Sequence, residues 1–258
     1  FPVRTLLSGA ARVTQDFITA TCPPRAPGDD VEQVHADLAA ALQERTEDVV
    51  VHLARRARAV TGSALLCVSG GVAMNCVSIG KIVEAGLFDE VFVPPSPGDS
   101  GTALGAAIAA SLDITGRAPK DVGHRCYLGP DLAAAPAFAE ADLFTGLNRE
   151  VIESPAQFLA DRLAEGMIVG LAQGPVEAGP RALGNRSILA SPLLPGVVDR
   201  LNATVKFRER FRPFAPVVLA REAADYCRLA QPSPYMSIAA PVTPLARERI
   251  PAVVHVNG

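Results

Sequence analysis

Between residues 31 and 60 the apolar positions Val34, Leu38, Ala41, Leu42, Val49, Leu53 and Ala57 recur at helical spacing. This predicts a helix that Gly62 closes, with Asp29 or Asp30 placed to cap its start. Ahead of it, residues 1–30 read as a connector punctuated by "CPPRAPGDD". The pattern then shortens. "ALLCVSGG" predicts a strand ending in a glycine pair, "NCVSIGKIVEAG" a helix stopped at Gly86, and "EVFVPP" a second strand. "DSGTALGAAIAASL" predicts another helix, rich in small residues. Strand, helix, strand, helix in this order is the signature of an α/β layer, with the glycine pair at the C-terminal end of a strand.

Residues 114–150 are irregular and spotted with Pro, Gly and Asp. The expected division is therefore a first domain over 1–120, a junction over 121–150, and a second domain over 151–258. In the second, "SPAQFLADRLAEG" predicts a helix with Ser154 and Gln157 forming a capping box. "MIVGLAQG", "APVVLA", "YMSIAA" and "AVVHVNG" predict strands, so this part also reads as α/β. No internal repeat is evident.

Composition fits a globular chain: 258 residues, 49% apolar and 20% charged. No run of 18 apolar residues predicts a membrane span, and "FPVRTLLSGA" lacks the features of a secretory signal. Cys22, Cys67, Cys76, Cys126 and Cys227 are scattered singly, which fits reduced thiols and a cytoplasmic setting. Cys67, inside an apolar run, is expected to be a buried small hydrophobe.

Charge changes the picture. Between residues 179 and 216 stand Arg181, Arg186, Arg200, Lys206, Arg208, Arg210 and Arg212 against only Asp199 and Glu209. That local surplus of five lies in a chain of formal charge −3, leaving the rest at −8. A nucleic-acid-binding protein would be basic more broadly, so a pocket for a small polyanion is the better expectation.

Several segments are candidates for that chemistry. In "SGGVAMN", Gly70 and Gly71 allow backbone N–H groups to approach an anion at a helix start, and Asn75 is placed to bond a ribose or base. An ordinary tight turn is the plain alternative. "SIGK" fails as a P-loop because Ile82 stands where a Ser or Thr would bind magnesium. Asp99 opens a helix, as a cap or as one ligand of a metal ion whose other ligands are not nearby. His35, His52, His124 and His255 form no metal-ligand pair, and the first two are expected to have structural or surface roles. In "VKFRERFRP" the cations alternate, so an extended chain would present one cationic face. Arginine forks match phosphate oxygens, and a lysine offers a point charge to a transferring group. Of the two arginines in "GPRALGNRSILA", Arg181 is the expected ligand and Arg186 the brace of the turn.

Together "SGGVAMNCVSIGKI", "PPSPGDSGTALGAA", "QGPVEAGPRALGNRSILASP", "LNATVKFRERFRPFAPVVL" and "SPYM…IPAVVHVNG" resemble the nodulation-type O-carbamoyltransferases. That family includes the tobramycin, cephamycin, novobiocin and ansamycin tailoring enzymes. One departure is Ala178, where the family usually has an aromatic residue.

The resemblance implies the latter half of an actin/sugar-kinase-like domain of the threonylcarbamoyl-transferase type, followed by a partial YrdC-like domain. The N-terminal half and the C-terminal end of the family would lie outside this span, leaving neither site complete. The implied activity is ATP-dependent. Carbamoyl phosphate is activated to carbamoyl adenylate, and the carbamoyl group passes to a hydroxyl of a small natural product. By position, Gly70, Gly71 and Asn75 would hold the adenylate, and Asp99 would be a ligand for iron. Lys206, Arg181 and Arg212 would be catalytic and would bind ATP, with its Mg2+, and carbamoyl phosphate, with Arg208 and His255 also in that site. Tyr235 and Met236 would line the adenine pocket. The alternatives are a tRNA-modifying threonylcarbamoyl-adenylate enzyme and a non-catalytic nucleotide-binding fragment. No nucleic-acid or membrane partner is expected on the first reading.

Overall fold

A computed structural model of the chain describes residues 3–5, 11–13, 15–26, 28–117, 126–131, 146, 148, 150–256 and 258. The chain divides into two compact units, Phe1–Gly62 and Ser63–Gly258. Most of the expected junction over 121–150 lies outside the described residues, as does His124.

In the first unit, strands β1 (Val3–Thr5) and β2 (Ala11–Val13) pair antiparallel. Helix α1 (Gln15–Ala20) and the long helix α2 (Gln33–Thr61) follow. Gly62 ends α2 as predicted, with φ at 66° and its N–H returned to the Arg58 carbonyl. The start differs from expectation. Glu32 occupies the cap position, while the Asp29 carboxylate accepts the Ala26 N–H in the preceding turn (3.1 Å). His35 Nδ1 accepts the Glu32 N–H at 3.0 Å, a structural role of the kind expected for it.

The second unit begins with the predicted βαβ order. Strand β3 (Leu65–Cys67) runs into a 3-10 turn over Gly71–Met74, then helix α3 (Cys76–Glu84) and strand β4 (Glu90–Phe92). The two strands pair in parallel, Leu65 opposite Glu90, the arrangement of an α/β fold. Ile79 and Ile82 of α3 are buried together with Val91 and Val93 at β4. Cys67 is exposed, contrary to expectation. Side chains alternate along a strand, and Leu66 alone turns inward, leaving Leu65 and Cys67 on the outer side. A second 3-10 turn, Asp99–Gly101, leads into helix α4 (Thr102–Thr115).

Helix α5 (Pro155–Ala164) starts at a proline in the first turn. Its capping box does not form: Ser154 makes no side-chain cap, and Gln157 Nε2 donates to Asp161 Oδ1 (2.8 Å) instead. Strand β5 (Val169–Ala172) pairs antiparallel with β6 (Arg186–Leu189), a strand that periodicity missed because it is only four residues long and follows the turn-rich "GPRALGN". Helix α6 (Val197–Leu201) continues into a π-turn over Asn202–Lys206. Short helices α7 (Ala223–Tyr226) and α8 (Pro244–Arg249) complete the unit. Among the described residues, no helix is long and apolar enough to cross a membrane.

The three strands expected after residue 214 are absent from those positions. "APVVLA" runs without a ladder into a 3-10 turn over Ala220–Glu222, "YMSIAA" is irregular, and "AVVHVNG" starts inside a 3-10 turn over Pro251–Val253. Their surroundings supply other hydrogen bonds. The Ala239 N–H donates to the Cys76 carbonyl (3.0 Å). The Gln231 amide accepts the Val91 N–H (2.9 Å) and donates to the Val91 carbonyl (2.8 Å), occupying an edge of β4 as a strand would.

Gly80 shows how closely the 239 segment approaches α3, because a Cβ there would fall well inside contact distance of the Ala239 carbonyl oxygen. In an open helix Gly→Ala stabilises by about 1 kcal/mol. At this site Gly80→Ala is expected to destabilise by about 1–3 kcal/mol, as overpacking does. Urea denaturation of the two proteins reads the sign.

Candidate functional site

The loop after β3 is shaped by what touches it. Gly70 adopts φ of 100°, a conformation glycine takes without strain, and its N–H donates to the Pro97 carbonyl at 2.7 Å. Ser69 Oγ donates to the same carbonyl (3.0 Å), so the "SGG" and "PPSPGD" loops are tied together. Asn75 caps α3, its Oδ1 accepting the Ser78 N–H at 3.2 Å. Asp99 opens the 3-10 turn but is not its cap, a position held by Gly98. Among the described residues no three His, Cys, Asp or Glu side chains gather to hold a metal ion. A single carboxylate does not make an iron site.

A third loop, the "GPRALGNR" segment, closes on these two. A Cβ on Gly179 would lie 2.7 Å from the Pro95 carbonyl oxygen, so only glycine permits this approach. Arg181 Nη2 donates to the Met74 carbonyl at 3.1 Å. Beneath the loop lies Glu177, a carboxylate in a residue only 4% exposed. Its Oε1 accepts the backbone N–H groups of Leu183 (2.8 Å), Asn185 (2.8 Å) and Arg186 (3.1 Å). Arg186 adds Nε to Oε2 at 3.4 Å and Nη2 to the Glu177 carbonyl at 3.3 Å. Burial pushes the Glu177 pKa up, but these backbone hydrogen bonds outweigh it and hold the carboxyl at about 2. Arg186 therefore braces the turn, as its sequence context anticipates.

The cationic segment is not extended. Lys206 ends the π-turn, Phe207 takes φ of 47°, and the chain then curls around Asn202, which is fully buried. Asn202 Oδ1 accepts Arg208 Nε (2.7 Å), while its Nδ2 donates to the carbonyls of Arg212 (3.0 Å) and Arg210 (3.3 Å). The Arg208 guanidinium also lies 4.6 Å from the Phe214 ring centre and donates to the Pro213 carbonyl. Arg212 Nε pairs with Glu209 Oε2 at 2.8 Å. The expected alternating face is thereby replaced by a loop whose cations converge. Lys206, Arg208 and Arg212 line one cavity of about 740 Å3 with Asn202, Phe207 and Glu209.

The candidate residues thus fall into separate places. Lys206, Arg208 and Arg212 share the large cavity. Arg181, Tyr235 and Met236 line a different and much smaller one, about 10 Å3, with Met74 and Pro97. Tyr235 is buried there, and burial pushes its phenol pKa up, with Cys126 adding to the shift. Met236 has φ of 54°, which residues bearing a Cβ seldom adopt. Gly70 and Gly71 are exposed on the adjoining loop, and His255 is exposed and lines neither of these two cavities. The organising residues Glu177 and Asn202 were not anticipated. The available signal was an acidic side chain set among Gly, Pro and apolar residues in "QGPVEAGPRALG"; Asn202 carried none beyond its place in the "LNATVKF" motif.

Comparison with known proteins joins these observations. Residues 10–108 match the family model described as Carbamoyltransferase N-terminus, and residues 160–258 match Carbamoyltransferase C-terminus. Nodulation protein NolNO of Sinorhizobium fredii is 41% identical over 91% of this chain and 35% of its own length. Nodulation protein NolO of Bradyrhizobium diazoefficiens is 41% identical over 91% of this chain and 44% of its own. Nodulation protein U of Rhizobium tropici is 40% identical over 80% of this chain and 34% of its own. The chain therefore spans less than half the length of these relatives. The two matched models, together with these relatives, place the chain in the carbamoyltransferase family.

Proposed function

We propose that the protein to which this chain belongs is an ATP-dependent O-carbamoyltransferase acting on a hydroxyl of a small natural product. The observation that carries this reading, beside the family, is the cavity in which a buried asparagine makes Lys206, Arg208 and Arg212 converge. Such a cluster suits a substrate bearing phosphates, whose charge it offsets while holding the reacting groups in place.

In the proposed sequence water takes the phosphoryl group of the carbamoyl donor, releasing inorganic phosphate and carbamate, and a carbamate oxygen bonds to the α-phosphorus of ATP. Pyrophosphate leaves, giving carbamoyl adenylate. The acceptor hydroxyl oxygen then bonds to the carbamoyl carbon, AMP leaves with the electrons of the broken C–O bond, and the hydroxyl proton passes to solvent. Lys206 and Arg212 hold the phosphates that carry charge in the first step, and Arg208, already fixed by Asn202 and Phe214, shapes the field. Arg181 gives one hydrogen bond to Met74, which leaves most of a five-donor guanidinium for an anion from the neighbouring loop. The two parts of the chain correspond, on this reading, to an actin/sugar-kinase-like transfer domain and a YrdC-like activation domain. Gly70, Gly71 and Asn75 belong to the transfer site, where Asp99 would supply one ligand if residues outside those described completed an iron set. Tyr235, Met236 and His255 belong to the activation site.

Pyrophosphate release from ATP and carbamoyl phosphate by the full-length protein tests the reading. Lys206→Ala is expected to lower that release by about 100-fold, as loss of one charge-stabilising group does. Full release by that variant would remove Lys206 from the activation chemistry.

A further inference from the structure

One wall of the cationic cavity contains a side chain whose conformation packing does not explain. Phe207 has φ of 47°, in the left-handed region that residues with a Cβ rarely enter. The residue is nonetheless 80% exposed, so burial does not offset the strain. Phe214, in the same segment, contrasts with it by packing against the Arg208 guanidinium. The unusual backbone at 207 is imposed from below. The carbonyl of buried Asn202 accepts the N–H groups of both Phe207 and Arg208 at the end of the π-turn. Interrupted helices and strained residues of this kind concentrate at binding sites. The result is an aromatic side chain on a backbone held by Asn202, beside Lys206, Arg208 and Arg212.

We propose that Phe207 is the stacking platform for the base of the nucleoside triphosphate, with Lys206 and Arg212 on its phosphates. The proposal rests on the reading of this cavity as the ATP site. An exposed phenyl face has no hydrogen-bonding group and suits a planar heteroaromatic ring, since stacking on an aromatic side chain tolerates any base. The cavity, about 740 Å3, is an open hollow walled by residues 202–212, and its size falls in the range of small-molecule sites. The cavity beside Tyr235 and Met236 is about 10 Å3, at the lower limit for one water, so a base enters it only if those side chains move.

Calorimetric titration of the full-length protein with ATP and with inorganic tripolyphosphate, both with Mg2+, separates base from phosphate. Phe207→Ala is expected to weaken ATP about tenfold, as loss of one stacking partner does, and to leave tripolyphosphate within about twofold. Phe207→Tyr should bind ATP as the parent does. Phe207→Gly, which accepts the left-handed backbone freely, should lose ATP affinity like the alanine variant while melting no lower than the parent. The proposal is overturned if Phe207→Ala leaves ATP unchanged, or weakens ATP and tripolyphosphate alike. Retained ATP affinity in that variant, with loss in Met236→Ala, would move the base to the other cavity. Failure of Lys206→Ala to weaken tripolyphosphate would instead sink the cavity reading itself.

Discussion

Glu177→Gln is expected to lower the stability of the folded chain at pH 7 by about 3 kcal/mol. The carboxyl ordinarily titrates at 4.5 and is held at about 2 in the folded state. Each pKa unit corresponds to about 1.4 kcal/mol of preference for the charged form. A depressed carboxylate contributes stability that is fully present above the unfolded pKa and fades as pH falls toward the folded one. The difference between parent and variant should therefore be constant above about pH 5, shrink between 4.5 and 2, and vanish below. Urea denaturation at pH 7 and pH 3 measures it, and parallel stability curves across that range would refute the assignment. Glu177→Ala should fall further, because three backbone N–H groups and Arg186 then lose their acceptor together. Since the same loop carries Arg181 to the Met74 carbonyl, either variant should also loosen that contact.

This dependence on one carboxylate explains where the sequence was readable and where it was not. Helix α2, the β3–α3–β4 unit, α4, α5 and β5 follow from apolar spacing punctuated by glycine, because each forms its hydrogen bonds mainly within itself or with a near neighbour. The C-terminal segments resemble strands in composition but lack a ladder. "APVVLA" follows Pro213 and contains Pro216, and "YMSIAA" spends its backbone on α3 through Ala239 and Cys76. Gln231 even takes a strand's place at β4 with a side chain, which no propensity scale registers. The candidate cations were legible as a charge surplus. Their grouping was not, because it depends on which carbonyls Asn202 and which N–H groups Glu177 happen to capture across 6 to 10 residues. Alternation in "VKFRERFRP" pointed to an extended face, whereas the buried amide winds the same residues into a loop and still brings three of the cations together.

Asn202 should accordingly be as sensitive as any residue of the chain. Asn202→Ala removes the acceptor of Arg208 Nε and the donors to the Arg210 and Arg212 carbonyls from a site with no solvent access. Leaving such groups unmatched in the interior is expected to cost about 3 kcal/mol. Asn202→Asp divides the contribution. It keeps an acceptor for Arg208, now charged, but presents oxygen where the two carbonyls need a donor, so the loop from 207 to 213 should open while the Arg208 contact survives. Both variants should weaken tripolyphosphate at least about tenfold, because Lys206, Arg208 and Arg212 no longer converge without the amide between them. Denaturation and calorimetry on the same samples distinguish the possibilities. An Asn202→Asp chain that kept parent stability and parent affinity would show that the donor side of the amide is dispensable. The convergence of the cations would then have to come from Arg208 alone, held between Asn202, Pro213 and Phe214.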